Sequence, residues 1–318
     1  VLGNRNLKMG LISILGYALL LYIVYRVFRA VFSAVYPFYI AVPADLHHLA
    51  GGKWAIVTGA TDGIGKAYAF ELAKKGFNLV LISRTAKKLD DTRDEIVKKY
   101  SGVEIKTIAF DFTSASLDEY EKTISAQIEK LDIGVLVNNV GLSYEYPDVL
   151  HKVEGGNQRL RDILVCNTLP PTVLTSIVLP QMTKRRKGVI INISSSACYS
   201  VMQLWAVYSA TKKYVTHLTS AIRQEYANEG ITIQCVCPMM VATKMSKIRR
   251  PSFFAPSPET YVNQALRSVG NVNETTGCLS HEIQAWVFGL PECIVNYITS
   301  LHSHKTRALA LKKKEKSQ

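Results

Sequence analysis

The chain has 318 residues, of which 48% are hydrophobic and 20% charged, and it carries a formal net charge of +13. This composition excludes a disordered chain and suits one large domain with appendages. The basic residues are spread along the chain without any nucleic-acid motif, so no nucleic-acid partner is expected.

The first predicted element is a charge-free apolar run over residues 9–25. A helix of this length reaches about 26 Å, against a hydrocarbon core of roughly 30 Å, which predicts a transmembrane or membrane-anchoring segment. Met9 is the first residue of the run and a candidate initiator. A second apolar run, residues 30–42, is interrupted by Pro37 and could dip into the interface or form a hairpin with the first. A cleaved signal peptide is the alternative, but Arg26, Arg29 and the apolar continuation favour an anchor over residues 1–45.

The rest of the chain alternates short apolar runs with amphipathic stretches. The predicted strands cover residues 54–58, 79–82, 105–110, 134–137, 189–193 and 231–236. The predicted helices cover residues 66–75, 87–99, 117–130, 159–187 and 205–229. Because alternating strands and helices form parallel sheets covered on both faces, the sequence predicts an α/β fold with a Rossmann-type doubly wound parallel sheet. The main domain is assigned to residues 46–301, with a substrate flap at 241–260 and a basic C-terminal tail at 302–318.

The first predicted strand runs into a glycine-rich turn that precedes a helix. Glycines let the backbone turn tightly and approach a pyrophosphate, whose charge the helix N-terminus favours. A turn that only reverses the chain is the alternative. The cofactor contacts predicted in this turn are Gly59, Thr61, Asp62, Gly63, Ile64 and Gly65.

Three positions at the ends of later strands complete the predicted cofactor site. The second strand ends at Arg84, where NAD-preferring sites usually carry a carboxylate, and a guanidinium instead suits the 2′-phosphate of NADPH. A solvated surface arginine is the alternative. Asp111 follows the third strand and could accept a hydrogen bond from the adenine amino group. Asn138 ends the fourth strand, at the carboxyl edge where such sheets bind ligands.

Tyr208 and Lys212 stand four residues apart, on one face of a predicted helix. An ammonium lowers the pKa of a nearby phenol, so Tyr208 is predicted to exchange a proton with a substrate oxygen while the cofactor moves a hydride. Ser195 follows the fifth strand and could hold the same oxygen. A lone Y-x-x-x-K is common on helix surfaces, whereas this set in this order indicates catalysis.

The order TGATDGIG, NNVG, Asn167, Ser195 and YSATK resembles the short-chain dehydrogenase/reductase family over about residues 50–280. The resemblance implies a catalytic tetrad of Asn167, Ser195, Tyr208 and Lys212. In that tetrad Asn167 holds a water that relays protons to Lys212. Lys212 also binds the ribose of the nicotinamide.

The resemblance also assigns Thr243 to the segment that closes over the nicotinamide. Pro170 and Pro171 depart from a regular helix just after Asn167. Because proline removes a helical hydrogen bond and kinks the helix, these two residues could shift Asn167 from its place in the tetrad or widen the pocket.

The stretches GKAYAFELAKKGFNLVLISRT, IGVLVNNVGLSYEYPDVL and VATKMSKIRRPSF resemble the 17β-hydroxysteroid dehydrogenase type 12 branch. That branch implies NADPH-dependent reduction of very-long-chain 3-oxoacyl-CoA to 3-hydroxyacyl-CoA in fatty-acid elongation. A 17-ketosteroid reductase that uses the same residues is the alternative, since either pocket must be apolar. A more remote alternative is a membrane scaffold that binds NADPH without catalysis. The presence of Ser195, Tyr208 and Lys212 argues against it.

The basic flap after the sixth strand is the predicted coenzyme A contact, through Lys247, Arg249 and Arg250. A solvated loop that touches anionic lipid head groups is the alternative. The branch implies other fatty-acid elongation enzymes and a second copy of the chain as partners. It also implies the endoplasmic reticulum membrane, with the catalytic domain facing the cytosol. The ending KEKSQ resembles a dilysine retrieval signal, although a merely solvated basic tail would look the same.

The six cysteines form no C-x-x-C pair and show no zinc spacing. Small buried thiols in a reducing compartment are therefore expected, and no metal site is predicted.

Overall fold

A computed structural model of the chain describes the backbone of residues 2–316 and the side chains of residues 13–316. A fully parallel sheet forms the centre of the molecule, with the strand order β3-β2-β1-β4-β5-β6-β7. The strands are β1 (Trp54–Thr58), β2 (Asn78–Ser83), β3 (Ile105–Ala109), β4 (Ile133–Asn138), β5 (Gly188–Ile193), β6 (Ile231–Val236) and β7 (Glu274–Thr275). The predicted doubly wound sheet is confirmed, and β7 is an addition that the sequence did not predict.

The helices lie around this sheet. In chain order they are α1 (Leu2–Val35), α2 (Leu46–Ala50), α3 (Gly63–Lys74), α4 (Ala86–Lys99), α5 (Leu117–Glu119), α6 (Ala126–Ile128), α7 (Gly156–Arg185), α8 (Ala206–Glu225), α9 (Pro258–Arg267), α10 (Leu279–Ala285) and α11 (Glu292–Glu315). A π-helical segment joins α5 to α6, so the single helix predicted over residues 117–130 is three short pieces.

Side chains that alternate along the strands build a core on each face of the sheet. Ala55 and Val57 belong to the core that α3 and α9 cover, whereas Ile56 belongs to the one that α7 covers. The chain leaves β1 toward β2 on one side and returns to β4 on the other. Ligands of such sheets bind outside the carboxyl ends of the strands at this switch point.

The N-terminal helix runs without a break through both predicted apolar runs, so a hairpin between them is wrong. A π-helical turn, Tyr36–Ile40, continues α1 and contains Pro37, which removes one helical hydrogen bond without ending the helix. The segment Ser13–Ile40 is apolar enough to cross a membrane, since an 18-residue window within it has a mean hydropathy of 1.7 and is only 6% buried. The end of this segment is fixed to the body, because Arg267 Nε donates to the carbonyl of Phe38 at 3.1 Å.

Two other long helices bear on membrane contact. Helix α7 is also long and apolar enough to cross a membrane, but half of it is buried and it packs against β4 and α8, as a core helix does. Helix α11 continues to Glu315, so most of the predicted basic tail is helical. Ser317 and Gln318 of the KEKSQ ending lie outside the described residues.

Candidate active site

The glycine turn after β1 has the backbone geometry that a pyrophosphate site needs. Gly59 and Gly63 adopt φ values of +65° and +52°, which favour glycine. A Cβ on Gly65 would collide with the carbonyl oxygen of Gly59, so the turn and the helix pack backbone to backbone. The Asp62 side chain caps α3 by accepting from Gly63 N at 2.8 Å. The turn thus lies at a helix N-terminus, where backbone N–H groups bind anions.

Two residues that the sequence reasoning missed hold this turn against the end of β4. The hydroxyl of Thr58 accepts from the backbone nitrogens of Asn139 and Val140 at 2.9 and 3.0 Å. The Asn139 side chain donates to the carbonyl of Thr58 at 2.9 Å. The signal was present in the sequence, since a polar residue ends each of two apolar strands.

The predicted adenosine contacts lie at the ends of β2 and β3. Thr61 Oγ1 lies 3.0 Å from the hydroxyl of Ser83, which joins the glycine turn to the end of β2. Arg84 is exposed and has no ion-pair partner among the described residues. Asp111 is exposed and accepts from both the backbone and the hydroxyl of Thr113. An unpaired guanidinium at this place is free for an anionic ligand.

Asn138 belongs to a buried polar network. Its amide nitrogen donates to Asn192 Oδ1 at 2.8 Å and to Thr175 Oγ1 at 3.2 Å, and Asn192 donates onward to Thr219 at 2.9 Å. These bonds connect β4, β5, α7 and α8. A contact between Asn138 and a cofactor therefore requires its backbone, because the side chain lies inside the fold.

The catalytic residues predicted after β5 lie together. Lys212 Nζ donates to the carbonyl of Ile193 at 3.1 Å and lies 5.9 Å from the centre of the Tyr208 ring. The hydroxyl of Ser194 donates to the carbonyl of Lys212 at 2.7 Å, which ties α8 to the end of β5. Ser195 follows directly and interacts with the Tyr208 hydroxyl. Serine, phenol and ammonium thus meet at one edge of the sheet.

The pKa of Tyr208 corrects one prediction. Burial raises the pKa of Tyr208 above its ordinary value of 10, and the interaction with Ser195 only partly offsets this effect. Burial also lowers the pKa of Lys212, whose side chain has no carboxylate partner among the described residues. The prediction that the Lys212 ammonium lowers the pKa of Tyr208 is therefore wrong, because burial raises that pKa. Tyr208 is a protonated phenol at neutral pH, which suits a proton donor.

Asn167 is buried on α7, with its side chain fully used. Its Oδ1 accepts from Leu142 N at 2.7 Å, and its Nδ2 donates to the carbonyl of Leu142 and to Thr211 Oγ1, each at 2.9 Å. A Cβ on Gly141 would lie 3.2 Å from Asn167 Oδ1 and 3.3 Å from Lys212 Nζ. The side chain therefore fixes the loop after β4 beside Lys212, and a relay through Asn167 must use its backbone carbonyl.

The prolines of α7 keep this carbonyl free of its ordinary helical partners. In a helix, a carbonyl accepts from the nitrogen four residues later, or three in a tighter turn. For Asn167 these positions are Pro171 and Pro170, which have no N–H. Helix α7 continues past both of them, so Asn167 stays in place and offers its carbonyl to another donor.

The substrate flap is pinned at two points. Lys244 Nζ lies 2.8 Å from Asp62 Oδ2, and Lys247 Nζ donates to the carbonyl of Glu145 at 2.9 Å. A Cβ on Gly63 would lie 3.1 Å from the methyl of Thr243, so Thr243 sits against the glycine turn, and its contact with the cofactor stays a prediction. The flap therefore closes from the glycine turn across to the loop after β4.

His281 on α10 is a further residue that the sequence reasoning missed. Its Nδ1 accepts from Met239 N at 3.2 Å, and its Nε2 donates to the carbonyl of Met240 at 3.1 Å. The ring is fully buried, and burial lowers its pKa to about 4. A neutral His281 thus holds the backbone between β6 and the flap.

Aromatic side chains line the approach to Tyr208. Trp205 lies edge to face with Tyr208, with ring centres 6.2 Å apart, and stacks on Tyr144 at 5.6 Å. Tyr144 also accepts from Val207 N, which fixes it to the start of α8. These rings form an apolar wall beside the reactive phenol.

The cysteines are free thiols, and five of the six are buried, as predicted. Cys198, Cys235 and Cys237 cluster with sulfur atoms 3.7 Å apart. Burial raises the pKa of Cys166 to about 12, which makes it unreactive. Among the described residues no group of histidine, cysteine and carboxylate side chains could hold a metal ion.

Residues 53–252 match the family described as short chain dehydrogenase. The chain belongs to this family. The family predicted from the sequence is thereby confirmed, and the protein is an oxidoreductase acting on carbonyl or hydroxyl groups.

Relatives of this short chain dehydrogenase cover nearly its whole length. A Caenorhabditis elegans protein named very-long-chain 3-oxoacyl-CoA reductase is 53% identical over 302 residues, 95% of this chain and 95% of the relative. Another protein of that organism, provisionally named steroid dehydrogenase 3, is 45% identical over 303 residues, 94% of this chain and 95% of the relative. A solved short-chain dehydrogenase from Sphingobium yanoikuyae in complex with NADPH is 25% identical with a TM-score of 0.58, and the match covers 65% of this chain and 80% of that one.

Proposed function

We propose that this short chain dehydrogenase reduces very-long-chain 3-oxoacyl-CoA to 3-hydroxyacyl-CoA with NADPH, a step of fatty-acid elongation. The observation that carries the proposal is the 53% identity, over 95% of both chains, to the relative named for this activity. The geometry of Ser195, Tyr208 and Lys212 supports the carbonyl chemistry. It also opposes a non-catalytic scaffold, which would need none of them.

The residues present fit NADPH. The glycine turn, with Gly59 and Gly63 at positive φ and Gly65 packed against Gly59, suits a pyrophosphate. The exposed, unpaired Arg84 suits the 2′-phosphate by charge and fork geometry. Asp111 and Thr243 border the same edge of the sheet and are proposed as further contacts.

The chemistry follows from the protonation states of the site. NADPH, when bound, supplies the hydride. Ser195 donates a hydrogen bond to the substrate carbonyl oxygen and orients it beside Tyr208. Tyr208, held protonated by burial, donates its proton to that oxygen. The Lys212 ammonium then returns a proton to Tyr208, and a water held by the free carbonyl of Asn167 would resupply Lys212 with a proton from solvent.

The exposed flap arginines support a coenzyme A thioester as substrate. Arg249 and Arg250 are exposed and lack ion-pair partners among the described residues, so they are available for the phosphates of coenzyme A. Lys247 was predicted to share this role, but its ammonium is already held by Glu145. We therefore assign Lys247 to flap closure and the two arginines to the phosphates.

Changing Arg249 and Arg250 to Glu tests this assignment. The variant should raise KM for a long-chain 3-oxoacyl-CoA roughly 10- to 100-fold, from about 1.5–3 kcal/mol for a lost charge-assisted bond. KM for an uncharged 17-ketosteroid should stay unchanged, with both substrates measured in detergent. Changing Lys98 and Lys130 to Glu is the matched control, since both are exposed lysines outside the flap segment. Equal effects of the flap variant on both substrates would contradict a coenzyme A site on the flap.

Steroid reduction is the second candidate function. It is favoured by the 45% identity to the relative provisionally named steroid dehydrogenase 3, and by the flat aromatic wall of Tyr144 and Trp205 beside Tyr208. Both substrates would use the same catalytic residues. The ratio of kcat/KM for the two substrates in wild-type protein separates the candidates.

We infer that the protein is anchored in the endoplasmic reticulum membrane through Ser13–Ile40, with its catalytic domain in the cytosol. The exposed apolar helix and the dilysine-like ending support this location. Protease added to intact microsomes should degrade the catalytic domain, and its protection would place that domain in the lumen.

Other fatty-acid elongation enzymes and a second copy of the chain are proposed partners. A groove of about 370 Å³ between α7 and α8, with Leu164 and Tyr214 exposed in it, supports a homodimer. Mass measurement in detergent over a range of protein concentrations tests the second copy.

A further inference from the structure

Helix α11 carries its apolar stripe on the outside of the molecule. Ile294 and Ile298 are four residues apart, as are Tyr297 and Leu301, and Tyr297 follows Ile294 by three, which places all four side chains on one face. All four are exposed, Tyr297 to 69% and Leu301 to 60%. A surface helix ordinarily turns such a stripe toward the core.

Beyond Val295, which is buried near the start of α11, the inward face of the helix is polar through Arg307, and its hydrogen bonds fix the orientation of the helix. Ser300 Oγ donates to Gln203 Oε1 at 2.7 Å, and Arg307 Nε lies 2.8 Å from the buried carboxylate of Asp148. Ser303, between them, is fully buried. Rotating the helix to bury its apolar stripe would break these contacts and expose the Asp148 carboxylate.

The stripe is continuous with other exposed apolar side chains. Trp286 and Leu290 precede it and are exposed. Gln284 on α10 donates to the carbonyl of Phe254 at 3.0 Å, which attaches this region to the flap, where Phe253 and Phe254 are exposed. Helix α1 also contacts α10. Helix α10 therefore joins the apolar N-terminal helix, the flap and the start of α11.

We propose that the outer stripe of α11 lies in the interface of a lipid bilayer, with the helix parallel to the membrane plane. Among the described residues α11 does not belong to the helices apolar enough to cross a membrane, whereas Ser13–Ile40 does. An amphipathic helix of this kind sinks about 5–10 Å into the head-group boundary. The exposed Lys305, Lys312 and Lys313 follow the stripe and match anionic head groups by charge.

This arrangement brings the flap to the lipid surface. With α11 and α1 both in the membrane, Phe253 and Phe254 face the layer that would hold a long acyl chain. The membrane contact itself rests on α11, not on the identity of the substrate, so the two proposals fail independently.

A nitroxide scan of the full chain tests the contact. In a Cys293→Ser background, which removes the exposed cysteine, labels are placed at Tyr297→Cys and, as a control, at Val97→Cys on α4, where Val97 is 48% exposed. The protein is reconstituted in phosphatidylcholine vesicles containing phosphatidylserine. Collisions with membrane-soluble oxygen and with a water-soluble nickel chelate are then compared.

The label at Tyr297→Cys should collide with oxygen and be shielded from nickel in vesicles, while the Val97→Cys label stays accessible to nickel. Nickel access at both sites would overturn the proposal. Shielding from both reagents with dipolar broadening between labels would show a second copy on the stripe, and shielding without broadening would show another protein surface. Either result would also overturn it.

A charged stripe provides a second measurement. With Ile294→Glu and Leu301→Glu added, the Tyr297→Cys label should become accessible to nickel in vesicles, and Val97→Glu should leave it shielded. An unchanged thermal midpoint in detergent verifies that the variant is folded. A folded variant whose label stays shielded from nickel would contradict the membrane contact.

Discussion

Arg84 ends β2 as an exposed guanidinium without an ion-pair partner among the described residues. Arg84→Asp removes the proposed partner of the 2′-phosphate and adds a repelling charge. The variant should lower kcat/KM for NADPH by roughly 10- to 100-fold, from about 1.5–3 kcal/mol for a charge-assisted bond, and gain relative preference for NADH. Lys98→Asp, on the exposed side of α4, is the control. If the ratio of kcat/KM for NADPH to kcat/KM for NADH is unchanged, residues other than Arg84 recognise the 2′-phosphate.

His281 predicts how stability depends on pH. Its pKa is lowered from 6.5 to about 4, because the buried ring is neutral in the folded protein. Below about pH 6.5 the unfolded chain binds a proton that the folded protein refuses until about pH 4, so stability is lost as pH falls through this window. The loss amounts to roughly 3 kcal/mol, at about 1.4 kcal/mol per pKa unit. His281→Gln should make the denaturant midpoint of unfolding less dependent on pH over this range. If the midpoint of the variant changes with pH as steeply as that of the wild type, His281 is not the group responsible.

Sequence reasoning found those site residues whose geometry is set locally. Tyr208 and Lys212 share a face because they are one helical turn apart, and the glycine turn lies where a strand meets a helix. It missed His281, whose partner Met239 is 42 residues away, and Thr58, whose hydroxyl binds nitrogens 81 and 82 residues later. Such contacts depend on which strands become neighbours, which local spacing does not encode.

Helix α7 makes the relay through Asn167 testable. Pro171→Ala supplies an N–H that can bind the Asn167 carbonyl inside the helix and so withdraw it from proton relay. The variant should lower kcat by up to about 10²-fold, the lower end of general acid–base effects, and leave KM for NADPH unchanged. Pro180→Ala, an exposed proline later in the same helix, should leave kcat unaltered. Equal kcat values for the two variants would show that the Asn167 carbonyl takes no part in the proton relay.

The secondary structure shows where sequence patterns suffice and where they fail. The long apolar strands were predicted because each is covered on both faces and reads as a continuous run. Strand β7 has two residues, too few for any period, and forms only because Glu274 and Thr275 pair with the edge strand β6. The basic residues of the C-terminal stretch predicted a tail from residue 302 onward. The structure instead continues α11 to Glu315, and Lys314 forms an ion pair with Glu154.

The whole molecule combines the catalytic architecture of a short chain dehydrogenase with an apolar periphery. The doubly wound sheet places the glycine turn, Ser195 and Tyr208 at one edge. The apolar side chains of α1, the flap and α11 are exposed outside the core. Charge alone did not predict this arrangement, because the net charge of +13 is as compatible with an acidic membrane as with nucleic acid.

The central claim is that Tyr208 protonates the carbonyl of a very-long-chain 3-oxoacyl-CoA while NADPH is consumed. The most direct measurement is NADPH oxidation by purified full-length protein with that substrate, for the wild type and Tyr208→Phe, alongside NADPH affinity from fluorescence. We expect rapid turnover by the wild type, a roughly 10²–10⁴-fold lower kcat for the variant, and the same NADPH affinity for both. A variant whose kcat stays within a few-fold of the wild type, or a wild type that does not turn over this substrate, would contradict it.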